Sequence, residues 1–221
     1  MIHEFLDLFK NLTNEVWINS HGGLYIVMFV LFAETGLFVG FFLPGDSLLF
    51  VSGMIISRSN LPFENPVVNL IYWILLMTVA GVLGNMVGYW FGNKSGHMLF
   101  QKKDTFLFKQ KHLHQAHDFY ERKGGTAIIL ARFLPIVRTF APIVAGVVDM
   151  NYKKFFSYNV IGCVLWVGGV LTIGFMLGGN EWVRTNLDKV IYALILVTTA
   201  PVLLKMIFGK KPVAADGQPN N

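Results

Sequence analysis

The chain has 221 residues, 54% of them hydrophobic and only 14% charged, with a formal net charge of +5 and a mean hydropathy of +0.53. A soluble domain carries about 25% charged residues, so this composition argues against a soluble globular protein and for an integral membrane protein. The positive charge is clustered between and after apolar runs, which is a topology signal rather than a nucleic-acid footprint, and a single cysteine, Cys163, excludes an intrachain disulfide.

Residues 1–23 read as an N-terminal amphipathic segment without the basic region or small-residue cleavage site of a signal peptide. Residues 24–58 are apolar, but Glu34 and the turn Pro44-Gly45-Asp46-Ser47 interrupt them, so a broken hairpin is expected rather than one span. Glu34 is followed by the helix-weakening Gly36 and Gly40. Asp46 has the setting of an N-cap on a short half-helix. A carboxyl in low dielectric favours its neutral form, and a group so poised can carry a proton through a transport cycle. Direct pairing of Glu34 or Asp46 with a buried arginine is the other reading open to them.

Residues 67–91 are long enough to span, a bilayer needing about 20 residues. Gly84-Asn85-Met86-Val87-Gly88 within them is a GxxxG step, which suits close packing against a hairpin of the same chain. Residues 94–123 hold Lys94, Lys102, Lys103, Lys109, Lys111, Arg122 and Lys123 and read as a cytoplasmic amphipathic region. His112, His114 and His117 fall here. On a helix only 114 and 117 share a face, and no carboxylate completes a known ligand spacing. No metal site or cofactor is expected.

Residues 125–149 contain Arg132, Pro135, Arg138 and Pro142 in an otherwise apolar run. Holding an arginine at membrane depth costs at least about 2.5 kcal/mol, and intramembrane charges mark function by default. Snorkelling to the headgroups is the competing reading and suits Arg132 better than Arg138. On an unbroken helix the two guanidinium groups would point about 120° apart. Pro135 and Pro142 are expected to break the helix, as Pro44 and Gly45 break the first hairpin, so both arginines could face one cavity. A guanidinium pair suits an anion such as phosphate. Residues 155–178 and 190–208 are further candidate spans, and 209–221 a disordered tail. Asn85 and Asn159 are weaker polar candidates, equally explained by interhelical hydrogen bonds.

Charge bias orders these segments. Residues 94–123, Lys153-Lys154 and the closing Lys205, Lys210 and Lys211 should all be cytoplasmic. A single crossing by 125–149 would put Lys153-Lys154 on the opposite face, whereas a re-entrant hairpin removes the conflict. Working backward, 24–58 becomes a second hairpin entering from the outer face. Such backbone is tolerated where it is buried in protein or lines a wet cavity. The expected fold is an all-α membrane protein with spanning helices, two opposed re-entrant hairpins in an inverted repeat, and a site near the midplane. No G-x-S-x-G, G-x-x-x-x-G-K-[ST] or H-E-x-x-H motif is present, so no enzyme is expected.

Phe42-Leu43-Pro44-Gly45-Asp46-Ser47, with Glu34 twelve residues before the aspartate, precedes Arg132-Phe-x-Pro-x-x-Arg138-Thr-x-x-x-x-x-Ala145-Gly146. These joined motifs, with Gly88-Tyr89-Trp90-Phe91-Gly92, Leu165-Trp166 and Gly174-Phe175-Met176-Leu177-Gly178, resemble the bacterial DedA family of the SNARE-associated (VTT) membrane domain group. The resemblance implies a multi-pass protein of the bacterial cytoplasmic membrane that returns undecaprenyl phosphate or a related phospho-lipid to the inner leaflet, linked to the proton motive force. It implies that Arg132 and Arg138 bind the phosphate, that Glu34 and Asp46 couple protons or gate access, and that the partners are membrane lipids and protons. Self-association is left open. A proton- or sodium-coupled exchanger of small ions, an energy-independent phospholipid scramblase and a non-transporting scaffold remain as alternative readings.

Overall fold

The computed structural model describes residues 22–36, 45–58, 62–100, 125–133, 135–186, 189–190, 193 and 196. Every regular element among them is helical: α1 (Gly23–Gly36), α2 (Gly45–Ile56), α3 (Pro66–Phe100), α4 (Thr126–Ala131), α5 (Pro135–Val147), α6 (Tyr152–Gly178) and α7 (Glu181–Thr185). Residues 1–21, Pro44, the three histidines, most of 190–208 and the tail lie outside the described residues.

Two helices, Pro66–Gly96 and Tyr152–Gly178, are long and apolar enough to cross a membrane, and three shorter apolar helices accompany them. Ile71, Leu75, Val79 and Leu83 form an outward stripe along α3, each about half exposed. A contiguous apolar face of this kind is a liability in water and suits lipid.

The long helices extend past the expected spans. The 67–91 run continues to Phe100, because Gly92 and Gly96 lie against Ile143 and Val147 of α5 and packing outweighs their weak helix propensity. Asn151 caps α6, its side-chain oxygen accepting the Lys154 N–H at 3.2 Å, and starts that helix at Tyr152 rather than at 155.

The shorter helices lie alongside these two. α1 follows α3 from the Tyr25–Tyr72 hydroxyl contact to Gly36, which abuts Gly84. A side chain on Gly84 would strike Phe32 O and the Thr35 hydroxyl, so only glycine permits this approach. α5 accompanies the second half of α3, with Pro142 beside Gly88 and Val147 beside Gly96. α4 follows the start of α6, from Gly125 against Tyr158 to Arg132 against Gly162. α2 accompanies its end: Gly174 meets the Phe50 backbone and Gly178 meets Met54.

The two ends of the bundle are closed differently. At one, the Tyr89 hydroxyl donates to Met150 O at 2.5 Å and Asn93 Nδ2 to Asp149 Oδ1 at 2.8 Å, where Asp149 adopts a left-handed φ of 54° that turns the chain into α6. Lys94, over the Trp90 ring at 5.2 Å, lies toward that end, which α6 enters through Lys153 and Lys154. At the other end Arg58 Nε donates to Gly178 O at 3.0 Å. The main core, Leu24, Val27, Leu31, Leu48, Leu49 and Trp73 among others, fills the space between α1, α2, α3 and α6.

Candidate functional site

Three of the four charged residues singled out in the sequence meet directly. Glu34 lies on the last turns of α1, Asp46 on the first turn of α2 and Arg138 one turn into α5, and all three are buried. Arg138 Nη1 donates to Asp46 Oδ1 at 2.5 Å, and Arg138 Nη2 forms an ion pair with Glu34 Oε1. Both carboxylates pair directly with a buried arginine, and that partner is Arg138.

Local chain chemistry brings this about. Pro135 opens α5, where its fixed φ suits the first helical turn and its missing N–H leaves nothing unsatisfied. The sequence predicts a break at Pro142 as well. α5 instead continues through it to Val147. A proline inside a helix removes the donor to the carbonyl four residues earlier, which here belongs to Arg138. Gly45 opens α2 against the Glu34 carboxylate, with no room for a Cβ. The Glu34 side chain, held by Arg138, has nowhere to retreat. Gly45→Ala is therefore expected to cost about 1–3 kcal/mol by overpacking, seen as a lower melting temperature in detergent, whereas Gly179→Ala, where an added Cβ would meet nothing within 4 Å, should leave it unchanged.

Trp166 on α6 completes the cluster. Its indole N–H donates to Asp46 Oδ1 at 2.9 Å, and its ring lies 4.5 Å from the Arg138 guanidinium carbon. A cation over an indole face is worth about 2 kcal/mol or more when desolvated. The sequence marked Trp166 only as part of a family pattern.

Arg132 stands apart from the ion pairs. It is 2% exposed, so it does not snorkel. Its Nη2 donates to Asn159 Oδ1 at 2.5 Å, Asn85 Nδ2 donates to the same oxygen at 2.8 Å, and Asn159 Nδ2 donates to Val82 O at 3.3 Å. Arg132 Nε has no hydrogen-bond partner. Among the described residues no carboxylate lies within ion-pair distance of Arg132.

Arg132 and Asp46 both line a cavity of about 460 Å³ between α2, α6 and the end of α4, with Trp166 in its wall. Its remaining wall is apolar and includes Phe50, Leu177, Val190 and Ala193. Phe133, Leu165 and Ile173 also line it and are each about half exposed, so the cavity reaches the outer apolar face of the bundle. It therefore places two charged side chains beside an apolar wall that opens laterally. Among the described residues no group of three or more metal-ligating side chains occurs.

Comparison with known proteins agrees with the composition and the spans. The family described as the VTT domain matches residues 43–176. Protein DedA of Escherichia coli (strain K12) is 42% identical over 199 residues, covering 90% of this chain and 86% of that protein. An uncharacterized membrane protein of Mycobacterium leprae (strain TN) is 37% identical, covering 85% of this chain and 83% of its own length. Inner membrane protein YqjA of Escherichia coli (strain K12) is 35% identical over 207 residues, covering 91% and 86%. No solved structure matches.

Proposed function

We propose that this chain, which belongs to the DedA family of VTT-domain membrane proteins, carries a polyprenyl phosphate such as undecaprenyl phosphate between the leaflets of a bacterial cytoplasmic membrane, driven by protons. It acts as a transporter and not as an enzyme. The observation that carries the reading is the cavity: Arg132 and Asp46 at its polar wall, apolar side chains beyond, and an opening onto the outer face. The phosphate sits against the guanidinium groups, while the isoprenoid chain leaves through the lateral opening and stays in the bilayer.

The packing of the helices supports two opposed re-entrant hairpins. α1 and α2 both lie toward the end of the bundle that holds Tyr72 and Arg58, and α4 and α5 toward the end that holds Lys94 and Lys153. α1 accompanies α3 as α4 accompanies α6, and α5 accompanies α3 as α2 accompanies α6. An exchange of partners in this pattern is what an inverted repeat produces, with the site where the hairpin tips meet.

The charges supply a coupling rule. Arg132, Arg138, Glu34 and Asp46 sum to zero with both carboxylates ionised, and to +1 once one of them takes a proton. The protonated site matches an anionic head, whereas the deprotonated site already satisfies Arg138 internally. Proton and lipid phosphate therefore move together.

The test uses purified protein in vesicles containing undecaprenyl phosphate. An imposed pH gradient is expected to move the lipid toward the alkaline interior, and no movement should occur without protein. Equal movement in both directions regardless of the gradient would make the protein a scramblase. Proton or sodium flux without the lipid would make it an ion exchanger.

A further inference from the structure

The two arginines are not equivalent in this fold. Arg138 is held by two carboxylates and an indole face, whereas Arg132 is held by the neutral amide of Asn159 and faces the cavity. We infer that Asn159 is a positioning residue whose neutral oxygen aims Arg132 at the cavity without discharging it, making Arg132 the first cation that the phosphate of a lipid monoester meets. The inference rests on the lipid-phosphate reading and assigns the receiving step to one residue within it.

Several observations converge on Asn159. It is completely buried on α6, and its amide is held at both ends: the oxygen accepts from both Arg132 and Asn85, and the nitrogen donates to Val82 O. That locked geometry fixes where Arg132 Nη2 points. A carboxylate in the same place would satisfy the guanidinium outright, as Asp46 and Glu34 do for Arg138. Arg132 and Arg138 each keep an Nε without a partner, so the difference between them lies in the charge of what holds their Nη groups: a neutral amide oxygen for Arg132 and two carboxylates for Arg138. Asn159 and Trp166 are seven residues apart and so share one face of α6. From that face the helix presents an amide to Arg132 and an indole to Asp46 and Arg138. One spanning helix thus sets both halves of the site, keeping one arginine occupied and the other available.

The experiment is direct binding to purified full-length protein, with farnesyl phosphate as the probe and farnesol as its uncharged control. Wild type should bind the phosphate more tightly than the alcohol. Asn159→Asp places a carboxylate on Arg132 and is expected to weaken farnesyl phosphate by at least about tenfold, the scale of a close charge pair, while leaving farnesol unchanged. A structural role alone would lower both ligands together. Adding Arg132→Ala to Asn159→Asp should show no loss beyond that of Arg132→Ala, since the effect runs through the guanidinium. Should Asn159→Asp not fold, Asn159→Leu, which removes the acceptor at similar volume, must still weaken the phosphate selectively. A wild type that binds both ligands equally overturns the lipid-phosphate reading and this inference with it. A wild type that prefers the phosphate, with variants that keep the preference within about threefold, under 1 kcal/mol, overturns this inference alone.

Discussion

Arg138→Ala is expected to abolish lipid-phosphate movement and also to destabilise the fold by about 3–5 kcal/mol, the usual cost of stripping one partner from a buried ion pair. The reason lies in what the guanidinium holds. Glu34 comes from α1, Asp46 from α2 and Arg138 from α5, and all three are buried. Removing the cation leaves two carboxylates facing each other in a low-dielectric interior. Restoring charge balance separates the two effects. In Glu34→Gln/Asp46→Asn/Arg138→Ala no uncompensated charge remains in the cluster, so the melting temperature should recover most of the loss while movement of the lipid stays absent. Thermal unfolding in detergent and the vesicle assay read the two quantities separately. An Arg138→Ala protein that melts like wild type would show that the ion pairs do not hold α1, α2 and α5 together.

Much of this arrangement is legible in the chain because membrane depth makes polar groups conspicuous. Glu34, Asp46 and Arg138 stand out as charges that lipid would penalise, and the interruptions around them indicate a broken chain. Which acid meets which base is not legible, since Arg132 and Arg138 look alike in sequence. It is decided by α5 starting at Pro135 and running through Pro142, which carries Arg138 toward α1 and α2, while Arg132 remains at the end of α4 against α6. Asn159 and Trp166 are concealed in the sequence for a different reason. An asparagine in an apolar helix reads as interhelical glue and a tryptophan as core or interface, and neither shows its partner. What the sequence does carry is their spacing of seven, which places both on one helical face.

The helix ends show the same limit. Propensity around Gly92-Asn93-Lys94-Ser95-Gly96 disfavours helix, yet α3 continues because its glycines pack against α5. The GxxxG step at Gly84 and Gly88 predicts close packing within the chain, and the structure shows its partners: Gly84 meets α1 and Gly88 meets α5. A close-approach motif announces itself in sequence, but the segment that fills it is known only once the chain has folded.

Glu34→Gln is expected to separate translocation from its driving force. Glu34 is 1% exposed, and its described charged partner is Arg138. Glutamine keeps the shape and an oxygen for that guanidinium but cannot change its charge. The four-group sum is then fixed near +1 while Asp46 stays ionised, which is the state matched to an anionic head. Exchange of lipid phosphate between leaflets should persist within about threefold of wild type, a difference under 1 kcal/mol. Net movement driven by a pH gradient should fall by at least about tenfold, because a site that no longer changes charge cannot bind differently on the two sides of the gradient. Asp46→Asn should behave differently. Asp46 lines the cavity and accepts the Trp166 N–H as well as Arg138, so its loss disturbs the lipid's own site and should lower both exchange and gradient-driven movement. Measuring both quantities for the two variants therefore assigns the roles. A Glu34→Gln protein that follows the gradient as wild type does would place proton coupling on another group, and equal behaviour of the two variants would remove the distinction between the inner carboxylate and the one at the cavity wall.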